Sequence, residues 1–189
     1  MKIAVLSDIH ANVVALKKVM KYLKSSGVTK IYSLGDIIGY GNHPNEVIGL
    51  LNRKNVRCIK GNHEQLFLNG IYLKKYNLLF TKRVITKKSL NYLKKLPEKI
   101  IIKDANAILT HTVPFASDNY VYANSSFVRF KRIKHKFIVL GHTHYPMYVS
   151  YQEKKILNPG SVGQPRDGIE KPSFLICDFQ KGIFEFIRI

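Results

Sequence analysis

The first 63 residues alternate short apolar runs with amphipathic helical patterns, and this alternation constrains the fold more than any other feature. The apolar runs are residues 1–6, 30–34 and 56–59, which have the length of buried strands. Between them, the spacing of apolar residues predicts a helix that Asn12 caps and Gly27 ends, and a second helix over residues 45–53. The βαβαβ order predicts parallel strands with right-handed crossovers.

The rest of the chain predicts a basic helical region followed by a second sheet. Residues 64–96 are helical in character and are closed by Pro97. Short apolar runs then predict seven strands, at residues 100–102, 107–110, 137–140, 147–151, 155–157, 173–178 and 183–189. A short helix is predicted over residues 125–134. Many short strands after a βαβ half favour a mixed or antiparallel sheet. The length of 189 residues suits one domain, which we assign to residues 1–189.

The composition excludes several classes of protein. The apolar runs are strand-sized and far below the ~18–20 residues of a spanning helix, and the N-terminal apolar run is too short for a signal peptide. We therefore expect a cytoplasmic protein with no membrane partner.

Cys58 and Cys177 both lie in apolar runs, which predicts buried, reduced thiols and excludes a disulfide framework or a cysteine-rich zinc site.

The chain is strongly basic, with 31 Lys and Arg against 12 Asp and Glu and a net charge of +19. Two long stretches, residues 65–97 and 119–152, contain no acidic residue. A basic surface can attract phosphate-rich partners. A lysine-rich solvated surface is the competing interpretation, and the sequence contains no recognisable aromatic–basic motif for nucleic acid.

Metal-ligating residue types follow the carboxyl ends of the predicted strands. Asp, His and Asn side chains occur in five short motifs, each directly after a strand: Asp8 and His10, Asp36, Asn62 and His63, His111, and His142 and His144. In open α/β sheets this edge is where ligands bind. Each motif alone is a weak signal, but five of the seven histidines fall within the set. The combination therefore predicts a metal site.

The ligand types also indicate which metals fit. Carboxylate oxygen and imidazole nitrogen together suit Mn²⁺, Fe, Zn²⁺, Co²⁺ or Ni²⁺. Asp36 could bridge two ions through its two oxygens. Two metals about 3.5–4 Å apart clamp a phosphate and lower the pKa of a bridging water. We expect two divalent ions per chain.

The motifs resemble those of the calcineurin-like metallophosphoesterase superfamily. The resemblance rests on Asp8-Ile-His10, Gly35-Asp36, Gly61-Asn62-His63-Glu64, His111 and Gly141-His142-Thr143-His144. The segments GDIIGYGNHPNEVI and NPGSVGQPRDG are similar to the small prokaryotic phosphodiesterase branch. The resemblance extends from Met1 to about Asp178.

This resemblance implies an α/β fold, a four-layer α/β/β/α sandwich in which two mixed β-sheets are flanked by helices. It implies that Asp8, His10 and His144 bind one metal, that Asn62, His111 and His142 bind the other, and that Asp36 bridges them. The implied activity is phosphoester hydrolysis, with diesters favoured over monoesters, a metal-bridging hydroxide as nucleophile and His63 as proton donor. The alternative is a metallophosphoesterase-fold scaffold or docking protein with little catalysis, which need not keep His63.

Two positions depart from the family pattern. Glu64 replaces the common Asp, so we expect a longer carboxylate to orient His63. Thr112 replaces a common Gly beside His111, and Thr does not tolerate the positive φ that Gly allows.

Two loop residues are candidates for substrate binding. Arg166 could pair with a phosphate oxygen, and Tyr40 lies in the turn-rich loop after Asp36. A surface turn for Arg166 and loop packing for Tyr40 are the competing interpretations. The expected partner is a phosphate ester, with nucleotides and nucleic acid among the candidates, and homo-oligomer formation stays open.

Overall fold

The computed structural model describes residues 1–113 and 120–189, which form two five-stranded sheets. The ten strands are β1 Ile3–Leu6, β2 Lys30–Ser33, β3 Arg57–Cys58, β4 Lys99–Ile102, β5 Ala107–Thr110, β6 Phe137–Val139, β7 Pro146–Tyr151, β8 Lys154–Pro159, β9 Ser173–Asp178 and β10 Ile183–Arg188. The five α-helices are α1 Val13–Lys24, α2 Pro44–Arg53, α3 Asn62–Leu68, α4 Leu78–Val84 and α5 Lys87–Lys94.

Both sheets are mixed. Sheet A has the strand order β10-β9-β1-β2-β3, and sheet B has the order β4-β5-β6-β8-β7. Strands β1, β2 and β3 pair in parallel, which confirms the βαβαβ prediction. In sheet B, β5, β6 and β8 are parallel neighbours, whereas β4 and β7 pair antiparallel at the two edges. The carboxyl ends of β1, β2 and β3, and of β5 and β6, therefore carry the loops with the predicted ligands.

Three hydrophobic clusters separate the layers. The first joins sheet A to all five α-helices, with Leu16, Leu51 and Leu78 fully buried. The second lies between the sheets and contains Val5 and Leu157. The third covers the outer face of sheet B, where the described residues supply a 3₁₀ helix, Val128–Arg132, and its flanking loops. The predicted four-layer arrangement is confirmed.

Helix ends follow local chemistry. Asn12 caps α1 as predicted, because its side chain accepts a hydrogen bond from the N–H of Ala15. The helix ends at Lys24, before Gly27. The predicted helix over residues 125–134 is the 3₁₀ helix Val128–Arg132. Among the described residues, no helix is both long enough and apolar enough to cross a membrane.

Residues 64–96 are not one continuous helix. The chain forms α3, a 3₁₀ turn at Lys74–Tyr76, α4 and α5. Asn77 adopts a left-handed conformation with φ of 56° between the 3₁₀ turn and α4, and the Thr86 side chain caps α5. Asn62 and His63 belong to the first turn of α3, with Gly61 as its N-cap, and not to an open turn after β3.

Candidate metal centre

The predicted ligands converge on one buried centre between the two sheets. Three groups of side chains each place potential ligand atoms within 4.8 Å of one another. The groups are Asp8, His10 and His144; His10, Asp36 and His63; and Asp36, His111 and His142. The first and third groups join residues of sheet A loops to residues of sheet B loops. The site therefore exists only where the two sheets meet.

Asp36 occupies the middle of the centre. Its Oδ2 lies 3.4 Å from His111 Nε2 and 3.9 Å from His10 Nε2. Its Oδ1 accepts a hydrogen bond from the N–H of His63 at 2.9 Å. Asn62 joins the same side, because its Oδ1 lies 2.9 Å from His111 Nε2. One carboxylate thus faces both groups of histidines.

The histidine rings are oriented by the backbone. Nδ1 of His10 lies 3.2 Å from the carbonyl oxygen of Ile38, and Nδ1 of His111 lies 2.8 Å from that of Leu34. Nδ1 of His144 lies 2.6 Å from the carbonyl oxygen of Gln164. A carbonyl can only accept, so each Nδ1 carries a proton and each Nε2 faces the centre. Carbonyl oxygens fix metal-binding histidines in the same way.

This arrangement fits cations. Nε2 of His10 lies 3.1 Å from Nε2 of His144, so two lone pairs face each other unless a proton or a metal lies between them. Nε2 of His142 is buried and has no hydrogen-bond partner among the described residues, and such an atom needs a ligand or an explanation. Buried carboxylate oxygens complete a set of nitrogen and oxygen donors. The residues present therefore fit two divalent cations.

The pKa shifts describe the same electrostatics. Burial lowers the pKa of His10 to about 3 and that of His142 to about 4, so both imidazoles are neutral, as a metal ligand must be. Burial also acts to lower the pKa of His111, but the carboxylates of Asp36 and Asp8 raise it to about 9. Burial acts to raise the pKa of Asp36, but His111 and His63 hold it well below its usual range. The centre is therefore negative enough to attract a cation.

Backbone strain is concentrated in the ligand residues. Positive φ angles occur at Asp8 (52°), His10 (49°), Asp36 (50°), His142 (72°) and His144 (65°). Residues with side chains rarely adopt this region, and such outliers cluster at functional sites. Thr112 is not one of the described residues with positive φ. The backbone after His111 therefore does not need the Gly that is common at this position in the family.

His63 lies beside this group, in an aromatic cage. Its ring centroid is 4.6 Å from that of Tyr76 and 5.1 Å from that of Tyr40, and its Nε2 is 3.8 Å from Asp36 Oδ2. A Cβ at Gly39, where φ is 89°, would overlap Nδ1 of His63. Burial lowers the pKa of His63, which favours the neutral ring.

Glu64 does not orient His63, so that expectation is wrong. Its carboxylate is buried and accepts four backbone N–H groups from two loops. The Oε2 atom accepts from Asp36 (2.8 Å) and Gly61 (2.7 Å), and Oε1 accepts from Ile37 (2.9 Å) and Ile38 (3.0 Å). The extra methylene of Glu reaches backbone amides and not the imidazole. Glu64 therefore holds the loop of Asp36 against the start of α3.

Tyr40 and Arg166 meet at the rim of the centre. The Arg166 Nη2 donates to the Tyr40 hydroxyl at 3.2 Å, and the Tyr40 ring packs edge-on against His10 with centroids 4.8 Å apart. Burial raises the pKa of Tyr40, and the charge of Arg166 opposes this rise. A recess of about 230 Å³ opens on the other side, beside Asn62 and His111.

The structure also shows supporting residues that sequence reasoning missed. The loop after β8 closes on Asp8, because Ser161 Oγ donates to the Asp8 carbonyl at 2.7 Å and the Gln164 carbonyl oxygen accepts a hydrogen bond from His144 Nδ1. The buried Asn158 amide donates to the carbonyl oxygen of Gly141 at 2.7 Å. The segment NPGSVGQ, which contains these residues, was the available signal, but its pattern did not assign roles.

Known proteins share both the sequence and the fold. A family model described as the calcineurin-like phosphoesterase superfamily domain matches residues 1–182. The uncharacterized protein MJ0912 of Methanocaldococcus jannaschii is 36% identical, over 99% of this chain and 86% of that protein. The phosphodiesterase YfcE of Escherichia coli is 25% identical, over 89% of this chain and 83% of that protein.

A solved structure resembles the whole chain. The crystal structure of a metallophosphoesterase from Sphaerobacter thermophilus matches with a TM-score of 0.87 and 30% identity, over 100% of this chain and 88% of that one.

Proposed function

The chain belongs to the calcineurin-like phosphoesterase superfamily, and we propose that it is a binuclear-metal-dependent phosphodiesterase. The observation that carries this proposal is the carboxylate of Asp36, which two groups of potential ligands share, one with His10 and His63 and the other with His111 and His142. The name of the relative YfcE, a phosphodiesterase, favours diesters over monoesters.

We assign the ligands as two sets. Asp8, His10 and His144 would hold one divalent ion, Asn62, His111 and His142 the other, and Asp36 both. When bound, such ions neutralise phosphate charge and lower the pKa of water close to neutrality. Mn²⁺, Ni²⁺, Fe, Co²⁺ and Zn²⁺ all suit the donor set.

The protein residues around the ions supply position and protons. The His63 ring packs against Tyr40 and Tyr76 and occupies the room left by the missing side chain of Gly39. Its free N–H can therefore point to an ester oxygen beside the centre. A neutral imidazole with one proton can donate to a leaving oxygen as it departs. Arg166 lies at the rim with Tyr40, where its guanidinium can bond to a non-bridging phosphate oxygen.

The presence of His63 favours an enzyme over a scaffold. A docking protein has no use for a buried imidazole that is packed against the proposed ligands and whose Nδ1 has no hydrogen-bond partner in the described part of the chain. The substrate expected from these features is a phosphodiester that is small or extended enough to reach the centre.

Hydrolysis of bis(4-nitrophenyl) phosphate should require an added transition metal. The purified chain, stripped of metal and checked by elemental analysis, should be inactive and should recover with Mn²⁺ or Ni²⁺. 4-Nitrophenyl phosphate should be a poorer substrate.

Asp36→Asn should lose at least one metal per chain and nearly all turnover, because an amide lacks the charge of the shared carboxylate. Asp104→Asn, on the surface, serves as the matched control.

Three results would reject parts of this proposal. Turnover that survives complete metal removal would exclude metal-dependent hydrolysis. A chain that binds two metals but hydrolyses no ester would indicate the scaffold. Full metal content in Asp36→Asn would show that Asp36 is not shared.

A further inference from the structure

Three exposed tyrosines extend outward from the metal centre. The Tyr120 ring stacks on His142, with centroids 4.2 Å apart and an interplanar angle of 27°. Tyr122 is nearly parallel to Tyr120, at 7° and 6.3 Å. Tyr145 meets Tyr122 edge-on at 5.6 Å. We call Tyr120, Tyr122 and Tyr145 the tyrosine platform.

Core packing does not explain this platform. The exposed fractions are 47% for Tyr120, 38% for Tyr122 and 38% for Tyr145, and none of the three belongs to a buried cluster formed by the described residues. Isolated exposed apolar residues are ordinary, but a contiguous aromatic patch beside a reactive centre indicates a binding surface. Flat ring faces suit a flat ligand.

A recess borders the platform, and the segment that follows it in the chain carries two arginines. A recess of about 280 Å³ is lined by Tyr122, Tyr145 and residues between 121 and 147. The next recess along the chain is lined by Ser125, Ser126, Arg129 and Arg132. Hydroxyl and guanidinium groups are suited to phosphate oxygens. Aromatic faces followed by cationic side chains are the combination that binds single-stranded nucleic acid.

We propose that the substrate is a phosphodiester that carries unpaired nucleobases, which stack on the tyrosine platform while the scissile phosphate lies at the metal centre. This inference rests on the proposed function and names its substrate class. Tyr120 takes the base nearest His142, and Tyr122 and Tyr145 take the next. Arg129 and Arg132 contact phosphates farther along a strand. Paired bases cannot lie flat on the platform, so duplexes are excluded.

A pair of esters isolates the contribution of the base. Thymidine 5′-(4-nitrophenyl phosphate) and methyl 4-nitrophenyl phosphate share a leaving group and differ in the nucleoside. We expect Tyr122→Ala to lower kcat/KM for the thymidine ester by roughly 5- to 100-fold, the range for loss of one stacked base, mainly through KM. The methyl ester should be unaffected. Tyr122→Phe keeps the ring and should keep the rate.

The matched control is Tyr22→Ala. Tyr22 is 40% exposed and lies on α1 away from the platform, so its loss should leave both esters unchanged. If Tyr122→Ala slows the two esters equally, or slows neither, the platform does not bind bases and the inference is wrong.

A binding measurement separates this inference from the proposed function. Labelled oligothymidylate should bind the Mn²⁺-loaded His63→Ala protein, in which turnover is slowed, and fluorescence anisotropy should show weaker binding after Tyr122→Ala, Tyr145→Ala or Arg132→Ala. A duplex of equal length should bind more weakly than the single strand.

The same experiment distinguishes one base from several. If a dinucleotide binds as tightly as an eight-residue oligonucleotide, the substrate is a small nucleotide diester. If affinity rises with length and falls with Arg132→Ala, the substrate is a strand. Equal binding of duplex and single strand, unaffected by Tyr122→Ala, would overturn the inference even in an active phosphodiesterase. Binding without hydrolysis of any ester would instead reject the proposed function.

Discussion

At the scale of single residues, most of the proposed ligands have backbone conformations that are costly on their own. Five ligand residues have positive φ, and each such residue costs roughly 1–2 kcal/mol relative to the common regions. Hydrogen bonds hold these loops: the His10 N–H donates to the Asp36 carbonyl at 2.8 Å, and the Asp8 N–H donates to Gly35 at 3.1 Å. The loops are therefore shaped before any metal binds.

His63 offers the sharpest test at this scale. Because its ring lies beside the ligands in the aromatic cage, His63→Ala should keep its metal content and fold. It should lose roughly 10²–10⁴-fold in kcat for diesters with poor leaving groups, the usual contribution of a general acid. A 4-nitrophenyl leaving group needs little protonation, so its loss should be smaller. Steady-state kinetics and elemental analysis provide the measurements.

His43→Ala is the control for this variant, because His43 is exposed and pairs with Glu46 at 3.5 Å, outside the centre. Equal losses for both leaving groups would mean that His63 stabilises phosphoryl charge and does not donate a proton. A drop in metal content would instead make His63 a ligand.

The sequence predicted which side chains meet, but not how they are supported. Strand ends and donor chemistry brought Asp8, Asp36 and the histidines together, because parallel strands place their carboxyl ends at one edge. The function of Glu64 was misjudged, since a carboxylate one residue from His63 can turn to either the ring or the backbone. Tyr120 gave no signal, because its stacking on His142 is a tertiary contact that no local pattern encodes.

At the scale of elements, Glu64 joins two loops that each carry a ligand. Burial and the negative charge of Asp36 act to raise the pKa of the Glu64 carboxyl, whereas the backbone N–H donors act to lower it. Four donors and no acceptor face the carboxylate, so the ionised form is the one that satisfies them. Helix α3 thus fixes the distance between the β2 and β3 ligand loops.

Glu64→Gln should loosen this junction. The amide offers one acceptor oxygen and turns two donors toward backbone N–H groups, so buried donors lose their partners. We expect the free energy of unfolding to fall by about 3 kcal/mol, with weaker metal binding. Denaturant unfolding and metal titration measure the two effects. Glu153→Gln, on the surface, should change neither, and a Glu64→Gln protein of normal stability would contradict this function of the carboxylate.

Element boundaries show where sequence reasoning stops. The basic stretch of residues 64–96 has helical composition, but Asn77 turns the chain in a left-handed conformation and donates to the Tyr40 carbonyl at 3.1 Å. The break is thus set by a contact with a loop 37 residues away in the chain. This break places Tyr76 against His63. Local propensity cannot reveal a break that tertiary contacts impose.

At the scale of the molecule, charge is distributed unequally between interior and surface. Asp8, Asp36 and Glu64 are buried, so the net charge of +19 understates how basic the surface is. For an oligonucleotide, kcat/KM should fall as the salt concentration rises. The slope of log(kcat/KM) against the logarithm of the salt concentration should be roughly −0.7 for each phosphate contacted on a single strand. Methyl 4-nitrophenyl phosphate should depend on salt much less. Matching slopes would show that surface charge takes no part in substrate choice.

The position of β1 in sheet A has a consequence for how the protein is made. β1 lies between β2 and β9, and its partners in β9 are about 170 residues distant in the chain. A ribosome adding roughly 5–20 residues per second exposes Asp8, His10 and Asp36 many seconds before His142 and His144. The nascent chain therefore displays a half-built, weak site to every cation in its surroundings.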